Sequence, residues 1–186
     1  MDVEVRGEVR LFGGRSSEER VALERRYADL WAEFGASVTR LAASYEAAPQ
    51  AREDLLQDIR LAIWMALPRF RGESSVRTFV FRIAHNRAST HVWRRRKTIS
   101  TEALESVDVP DAQGSPDKAM FESLDHARFL AAIRSLPAPM KQVIILALEE
   151  IPHREIAAIL GTSEGNVAVR LTRARAALRQ KLGGSE

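Results

Sequence analysis

The 186-residue sequence contains no cysteine. This absence excludes a disulfide framework, a zinc site built from thiolates and a cysteine nucleophile. Long apolar runs are also missing, since none approaches the roughly 18 residues that a membrane span needs. The first residues, Met1 to Arg6, lack the basic-then-apolar order of a secretory signal. We therefore expect a cytoplasmic protein without membrane insertion.

Signatures of catalysis are equally scarce. The four histidines are scattered at His85, His91, His126 and His153, and none forms a metal-spaced pair with a carboxylate motif. The sequence has no phosphate-binding glycine loop and no nucleophile elbow. We expect no enzymatic activity, no metal and no cofactor.

What the sequence does contain is helical periodicity, and 45% of its residues are hydrophobic, enough for a packed core. Ser16 followed by Glu19 predicts a capping box at the start of the first helix, and Pro49 is predicted to end that helix or to lie just beyond it. A second helix is expected from about Ala51 to Pro68, and a third from Ser75 to about Arg95. Further helices are expected at about 116–135, 138–150, 153–160 and 164–182.

Periodicity is lost between Thr98 and Gly114, where acidic residues, serine, proline and glycine accumulate. This composition predicts a flexible linker. The fold class expected is therefore all-α, with two small helical domains. The predicted boundaries are an N-terminal extension at 1–16, a first domain at 17–97, the linker at 98–115 and a second domain at 116–186.

The charge is only +3 overall, but it is unevenly distributed. Arg94 to Lys97 form one basic cluster, a second lies between Arg170 and Lys181, and the stretch from Glu102 to Asp117 between them is acidic. Two basic surfaces suggest two contacts with a polyanion. The alternative is that these arginines simply solvate helix surfaces.

The most informative motif is a helix-turn-helix between His153 and Arg175. Gly161 suits the left-handed conformation that ends a helix, and Ser163 suits the cap of the next one. Val167 and Leu171 begin an apolar stripe on the second helix, whose opposite side is polar and basic, as major-groove recognition requires. The candidate DNA contacts are Ser163, Asn166, Ala168, Val169, Arg170, Thr172, Arg173 and Arg175. The alternative is an ordinary helical hairpin with arginines on its surface.

A family resemblance follows from two separate segments. The run from Asp54 to Trp64, the loop from Leu67 to Ser75 and the run from Arg77 to Asn86 resemble conserved region 2 of sigma factors of the extracytoplasmic-function group. The segment from Leu136 to Leu182 resembles their region 4, including Glu155 to Gly161 and Arg173 to Arg175. The resemblance covers the chain apart from about its first fifteen residues and the linker.

The resemblance implies that the second helix docks on a coiled coil of the large catalytic subunit of RNA polymerase. Asp54, Gln57 and Asp58 are spaced three to four residues apart, so they share one polar helix face that suits a basic partner. From the spacing alone, a merely solvated face is the alternative. The candidate contacts with core polymerase are Asp54, Leu55, Gln57, Asp58 and Arg60.

The loop before the third helix and the start of that helix correspond, by resemblance, to the part that opens the minus-10 promoter element. Melting requires capture of an unstacked base, and an aromatic side chain can return about 1–3 kcal/mol per stacked base. Phe81 is our candidate for stacking, and the arginines are candidates for phosphates. The candidate minus-10 contacts are Phe70, Arg71, Ser74, Ser75, Arg77, Phe81, Arg82, His85 and Asn86.

The function expected is that of a sigma factor, which binds core RNA polymerase and promoter DNA while the polymerase supplies the catalysis. By the same resemblance, the second domain binds the minus-35 element and the flap of the second large subunit, and an anti-sigma factor is an expected partner. The acidic linker is a candidate occupant of the basic channel that later holds RNA. The alternative is a two-domain helix-turn-helix regulator that binds duplex DNA without polymerase.

Overall fold

The computed structural model describes residues 16–99 and 118–183, and within these ranges it is all-helical, without a strand. The predicted all-α class is confirmed. The first fifteen residues and nearly all of the predicted linker lie outside the described residues. The helices are α1 (Ser17–Tyr45), α2 (Pro49–Ala66), a short 3-10 turn (Leu67–Arg69), α3 (Val76–Ile99), α4 (Lys118–Arg134), α5 (Ala138–Leu148), α6 (His153–Leu160) and α7 (Glu164–Leu182).

The first helix begins as its sequence predicts. The Ser16 hydroxyl accepts a hydrogen bond from the Glu19 backbone at 3.2 Å, and the Glu19 carboxylate accepts one from the Ser16 backbone at 3.0 Å. Each of these two side chains accepts a hydrogen bond from a backbone N–H that has no partner within the first helical turn. The capping box is therefore confirmed.

The helix boundaries agree with the expectation at Pro49 and differ from it at the end of α3. Pro49 lies just beyond α1, which stops at Tyr45, and it begins α2. Proline suits the first turn of a helix because its missing N–H has no partner there anyway. Helix α3 runs to Ile99, past the expected end near Arg95 and into the predicted linker.

The helices α1, α2 and α3 form the first helical group. They pack around fully buried side chains of each helix, among them Leu41, Ile59 and Val80. Phe34 of α1 meets Phe81 of α3 edge to face, with ring centroids 6.3 Å apart. Each such side chain contributes about 1.5–3 kcal/mol through burial, so this core holds the three helices in one arrangement.

The helices α4 to α7 form the second helical group around Ile145, Ile156 and Leu171. The turn between α6 and α7 has the predicted chemistry. Gly161 ends α6 with φ 63° and ψ 41°, the left-handed conformation that a side chain disfavours. The Ser163 hydroxyl then accepts a hydrogen bond from the Asn166 backbone and caps α7.

The two helical groups are in contact with each other. Helix α1 packs against α4 and α5, and α3 packs against α6. Lys141 of α5 is buried and lies over the Tyr45 ring of α1, with its ammonium 5.8 Å from the ring centroid. Each group therefore covers part of the surface of the other. Across 16–99 and 118–183, none of the helices has the length and apolar character of a membrane-spanning segment.

Candidate functional site

The outward face of α2 carries three of the residues expected to contact polymerase. Asp54, Gln57 and Asp58 are exposed, as their spacing predicts. Leu55, proposed with them, is fully buried between the helices of the first group. Its inclusion as a surface contact was wrong, because it lies on the apolar stripe that holds α2 in place.

Arg60 does not share the face of Asp58. Two residues along a helix correspond to a rotation of about 200°, which places the two side chains on nearly opposite sides. The Arg60 guanidinium lies 4.7 Å from the ring centroid of Trp31 and 3.9 Å from the Glu53 carboxylate. Its observed partners are therefore on α1 and α2 themselves.

The beginning of α3 presents a second candidate surface. The Ser75 hydroxyl accepts a hydrogen bond from the Thr78 backbone at 3.0 Å and so caps the helix. Arg77, Arg82 and Asn86 of α3 are exposed.

The loop before α3 contributes polar and aromatic groups to the same end of the helix. Arg71 is exposed, and Ser74 is half-buried with its hydroxyl 3.4 Å from the Ser75 carbonyl oxygen. Phe70 is half-buried against Phe79, with ring centroids 4.5 Å apart. Phe70 is thus the aromatic ring that the loop leaves partly accessible.

Phe81 and His85 contradict the expectation for α3. Phe81 is 2% exposed and His85 is 5% exposed, so neither side chain reaches the surface. Both lie against α1, where Phe81 meets Phe34 and the His85 Nδ1 atom is 2.9 Å from the Tyr45 hydroxyl. The predictions that Phe81 stacks on a base and that His85 contacts the minus-10 element are wrong for this arrangement.

Burial also sets the ionisation of the His85 pair. It lowers the pKa of His85 from 6.5 to about 4, which keeps the imidazole neutral at physiological pH. It raises the pKa of Tyr45 well above its usual value, against a smaller opposing effect of the Ser89 hydroxyl. The Ser89 hydroxyl also lies 3.4 Å from His85 Nε2, so both ring nitrogens have partners.

Helix α7 presents the third candidate surface. Asn166, Val169, Arg170 and Arg173 form one stripe along the helix at spacings of three and four. Val169 is 50% exposed, Asn166 and Arg173 are exposed, and Arg170 is half-buried. Ser163 and Ala168 are exposed at the start of the helix. The Thr172 hydroxyl is exposed too but donates to the Ala168 carbonyl oxygen at 3.0 Å.

Arg175 lies apart from this stripe. It follows Arg173 by two residues, hence by about 200° around the helix. It borders an apolar groove between α4, α5 and α7, together with Phe129 and Leu148. The structure therefore does not bring Arg175 and Arg173 to one face.

Both helical groups match known protein families. The family model described as Sigma-70 region 2 matches residues 30–98, and the model described as Sigma-70, region 4 matches residues 126–178. The chain belongs to the sigma-70 family. The matched ranges contain α2, α5 and α6 whole, with most of α1, α3 and α7.

Individual relatives of this sigma-70 family protein agree with that assignment. It is 28% identical over 158 residues to the RNA polymerase sigma factor NccH of Alcaligenes xylosoxydans xylosoxydans, covering 82% of this chain and 84% of that protein. It is 29% identical over 138 residues to the ECF RNA polymerase sigma-E factor of Escherichia coli strain K12, covering 69% and 72%. The resemblance to the extracytoplasmic-function group is confirmed.

Solved structures share the fold. The structure of CnrH in complex with the cytosolic domain of CnrY superposes with a TM-score of 0.66 at 24% identity, covering 88% of this chain and 91% of that one. The sigma factor RpoE of Bartonella quintana, in complex with the anti-sigma factor NepR, superposes with a TM-score of 0.63 at 25% identity, covering 85% and 99%.

Sequence reasoning missed two exposed residues of this sigma factor. Leu61 is 57% exposed and Met65 is 61% exposed on α2. They follow Asp54 and Asp58 at spacings of three and four, so all four side chains share one helix face. That spacing was the available signal, although apolar residues at such positions usually indicate a core stripe.

The basic cluster at the end of α3 is not simply free for a polyanion. Arg95 donates to the Glu46 carboxylate at the end of α1, and His91 Nε2 lies 3.3 Å from the same carboxylate. Burial would raise the pKa of Glu46, but hydrogen bonds from Arg95, the Ala48 backbone and His91 outweigh it and hold that pKa below its usual value. Arg95 therefore joins α3 to α1.

Within residues 16–99 and 118–183, no group of three or more histidine and carboxylate side chains lies close enough to hold a metal ion.

Proposed function

We propose that this chain is an extracytoplasmic-function sigma factor that binds core RNA polymerase through α2 and promoter DNA through α3 and α7. The observation that carries the proposal is that both sigma-70 regions occur in order on one chain, each with an exposed polar helix face. The helix-turn-helix regulator that binds DNA without polymerase is not favoured, because it gives no role to a region 2 match.

The proposed polymerase-binding face of α2 consists of Asp54, Gln57, Asp58, Leu61 and Met65. The two carboxylates suit a basic partner helix, and the two exposed apolar side chains suit an interface whose centre excludes water. The fully buried Leu55 is left out of this face.

The proposed minus-10 surface is the N-terminal half of α3 and the loop before it. Arg71, Arg77 and Arg82 supply positive charge for phosphates, and Phe70 supplies a partly accessible ring for an unstacked base. The remaining polar members are Ser74, Ser75 and Asn86.

The proposed minus-35 surface is the stripe of Asn166, Val169, Arg170 and Arg173 on α7. Arginine pairs with the major-groove edge of guanine, and an apolar side chain such as Val169 packs on a thymine methyl. Ser163, Ala168 and Thr172 border the stripe. Arg175, on another side of α7, is proposed for a phosphate rather than a base.

Three further expectations accompany this function. The chain itself performs no catalysis, since the polymerase forms the RNA bonds. We expect it to act in the cytoplasm, where polymerase and chromosome meet. An anti-sigma partner is expected because the similar RpoE chain was solved with the anti-sigma factor NepR.

Run-off transcription with purified core polymerase tests the proposal. The template is a pool of genomic fragments from the host, and sequencing of the transcript 5′ ends identifies the start sites. Discrete start sites that require this chain are expected. Random starts, or a sequence-specific gel shift by the chain alone at physiological salt, would instead favour the regulator.

The polymerase-binding face has its own test. Asp58→Arg should weaken binding to core polymerase in a competition assay with little change in stability, because the residue is exposed. The matched control is Asp29→Arg, an exposed aspartate on α1. Equal affinity of the two variants would remove this face from the proposal.

A further inference from the structure

The proposed polymerase-binding face of α2 ends in an exposed sulfur atom. The side chain of Met65 is 61% exposed, one residue before α2 ends at Ala66. It follows Leu61, which is 57% exposed, by about one helical turn and Asp58 by about two. The apolar part of this face therefore consists of a leucine and a thioether that water reaches freely.

This thioether is the most accessible sulfur among the described residues. The sequence has no cysteine, so its sulfur atoms are those of four methionines. The structure describes the side chains of two of them, and whereas Met65 is exposed, Met140 is half-buried in the second helical group. Because an oxidant must reach the sulfur atom, it attacks Met65 more readily than Met140.

The reaction with hydrogen peroxide is a two-electron oxygen transfer. The lone pair of Met65 Sδ attacks one peroxide oxygen, so that a sulfur–oxygen bond forms and the oxygen–oxygen bond breaks. The sulfur is oxidised to a sulfoxide, and the departing hydroxide takes the proton from the transferred oxygen and leaves as water. Hydrogen peroxide is neutral, so the carboxylates of Asp54 and Asp58 on the same helix face do not repel it.

The product changes the surface of α2 without disturbing the core. Oxidation converts a flexible apolar side chain into a polar one. On the free chain the sulfoxide oxygen accepts hydrogen bonds from water, and an interface that excludes water removes them at a cost in free energy. Since Met65 is exposed, folding depends little on it. Oxidation therefore affects binding rather than folding.

We propose that Met65 is an oxidation site and that its sulfoxide weakens docking of the chain on core polymerase. The inference rests on the proposed function in one respect, since it takes this face of α2 to be the polymerase-binding face. Enzymatic reduction, with a thiol as electron donor, returns the sulfoxide to the thioether, so the modification is reversible. A peroxide thus lowers the share of polymerase that carries this chain, and repair restores it.

Peptide mapping of the full-length chain tests the oxidation site. The chain is treated with hydrogen peroxide and quenched with free methionine, and mass spectrometry of its peptides follows the gain of one oxygen atom over time. Met65 should be oxidised several-fold faster than Met140 in the folded chain. In concentrated urea, where both side chains are exposed, the two rates should be similar. Equal rates in the folded chain would remove the selectivity on which the inference depends.

A competition assay with untreated core polymerase tests the consequence for binding. Only the chain is oxidised, and the peroxide is removed before the polymerase is added. Oxidation should weaken binding by about tenfold, within the range expected when one hydrogen-bonding group is buried without a partner. Methionine sulfoxide reductase with dithiothreitol should restore the affinity. Unchanged affinity after oxidation, or a loss that the reductase does not reverse, would overturn the inference.

Two leucine variants identify the residue responsible. Leucine has nearly the volume of methionine but no sulfur atom to oxidise. Each variant is compared with its own untreated sample, so that any effect of the substitution itself cancels. Met65→Leu should abolish the loss of affinity on oxidation, and the matched control Met140→Leu should retain it. If Met65→Leu loses as much affinity on oxidation as the parent chain, another side chain is responsible and the inference fails.

Urea unfolding separates an effect on the interface from an effect on the fold. The treated and untreated parent chains should unfold at the same urea midpoint, because Met65 is exposed. A lower midpoint after oxidation would mean that the loss of binding reflects unfolding, which contradicts the inference.

Failure of this inference and failure of the proposed function give different results. If the untreated chain does not compete for core polymerase, the proposed function fails, while the peptide maps still report whether Met65 is the oxidised residue. If treated and untreated chains compete equally well, only the inference about Met65 is refuted.

Discussion

The burial of His85 predicts how the free energy of unfolding changes with pH. Its ring is 5% exposed, its Nδ1 atom is 2.9 Å from the Tyr45 hydroxyl, and burial lowers its pKa from 6.5 to about 4. The unfolded chain therefore takes up a proton below about pH 6.5, whereas the folded chain does so only near pH 4. Stability is full above pH 6.5 and falls as the pH falls through this window.

The magnitude follows from the size of the pKa change. One pKa unit corresponds to about 1.4 kcal/mol, so the complete loss below pH 4 is on the order of 3 kcal/mol. At pH 5 the unfolded histidine is almost entirely charged and the folded one is still neutral. About 2 kcal/mol of the free energy of unfolding should be lost there because of His85 alone.

Urea unfolding of the full-length chain between pH 8 and pH 5 measures this contribution. His85→Asn retains a polar partner for the Tyr45 hydroxyl but cannot take up a proton in this range. The difference in unfolding free energy between variant and parent should shift by about 2 kcal/mol in favour of the variant on going from pH 8 to pH 5. His126→Asn is the control, because His126 is exposed on α4. Parallel pH curves for His85→Asn and the parent would refute the reasoning.

Three further predictions concern α7, the core of the first helical group and the turn between α6 and α7. Arg173→Ala should cost about 1–3 kcal/mol of promoter binding and relax the preference at one base position, whereas Arg175→Ala should leave base preference unchanged; a library of upstream elements measures both. Phe81→Ala should lower the free energy of unfolding by about 3–5 kcal/mol in urea, because a fully buried ring is lost. Gly161→Ala should cost about 1–2 kcal/mol in the same assay, because φ is 63° at this position. An unchanged urea midpoint would contradict the buried role of Phe81 in the first case and the backbone strain at position 161 in the second.

Local features of the fold could be predicted from the sequence because their signals are local. The Ser16 and Glu19 pair, the Gly161 turn and the Ser163 cap each depend on residues within one or two helical turns. The apolar stripe of α7 is equally local, since Val167 and its partners recur at helical spacing. Such signals determine where the helices begin and end and which of their faces is buried.

The error on α3 shows what periodicity cannot decide. Arg77, Phe81 and His85 are spaced by four and share a helix side, yet only Arg77 is exposed. Phe81 and His85 lie one and two helical turns after Arg77 on α3. They pack against Phe34 and Tyr45 of α1, respectively. Burial here depends on where the neighbouring helix passes, and the spacing of residues on α3 contains no information about that.

The contact between the two helical groups could not be predicted from the sequence either. Arg40 and Glu149 are 109 residues apart, and Ser75 and Glu155 are 80 apart. Each is an ordinary polar residue on a helix or at its end when that helix is considered alone. The two pairs form only because α1 packs on α5 and α3 packs on α6.

The different neighbours of α7 and α3 have an evolutionary consequence. The stripe of Asn166, Val169, Arg170 and Arg173 lies on the side of α7 away from its buried residues. Duplicated copies of such a chain can therefore acquire new upstream promoter preferences at little cost in folding. At the start of α3, a substitution of Ser75 alters the helix cap and the bond to Glu155 together. We therefore expect divergence among paralogues to begin on α7 and to reach the start of α3 last.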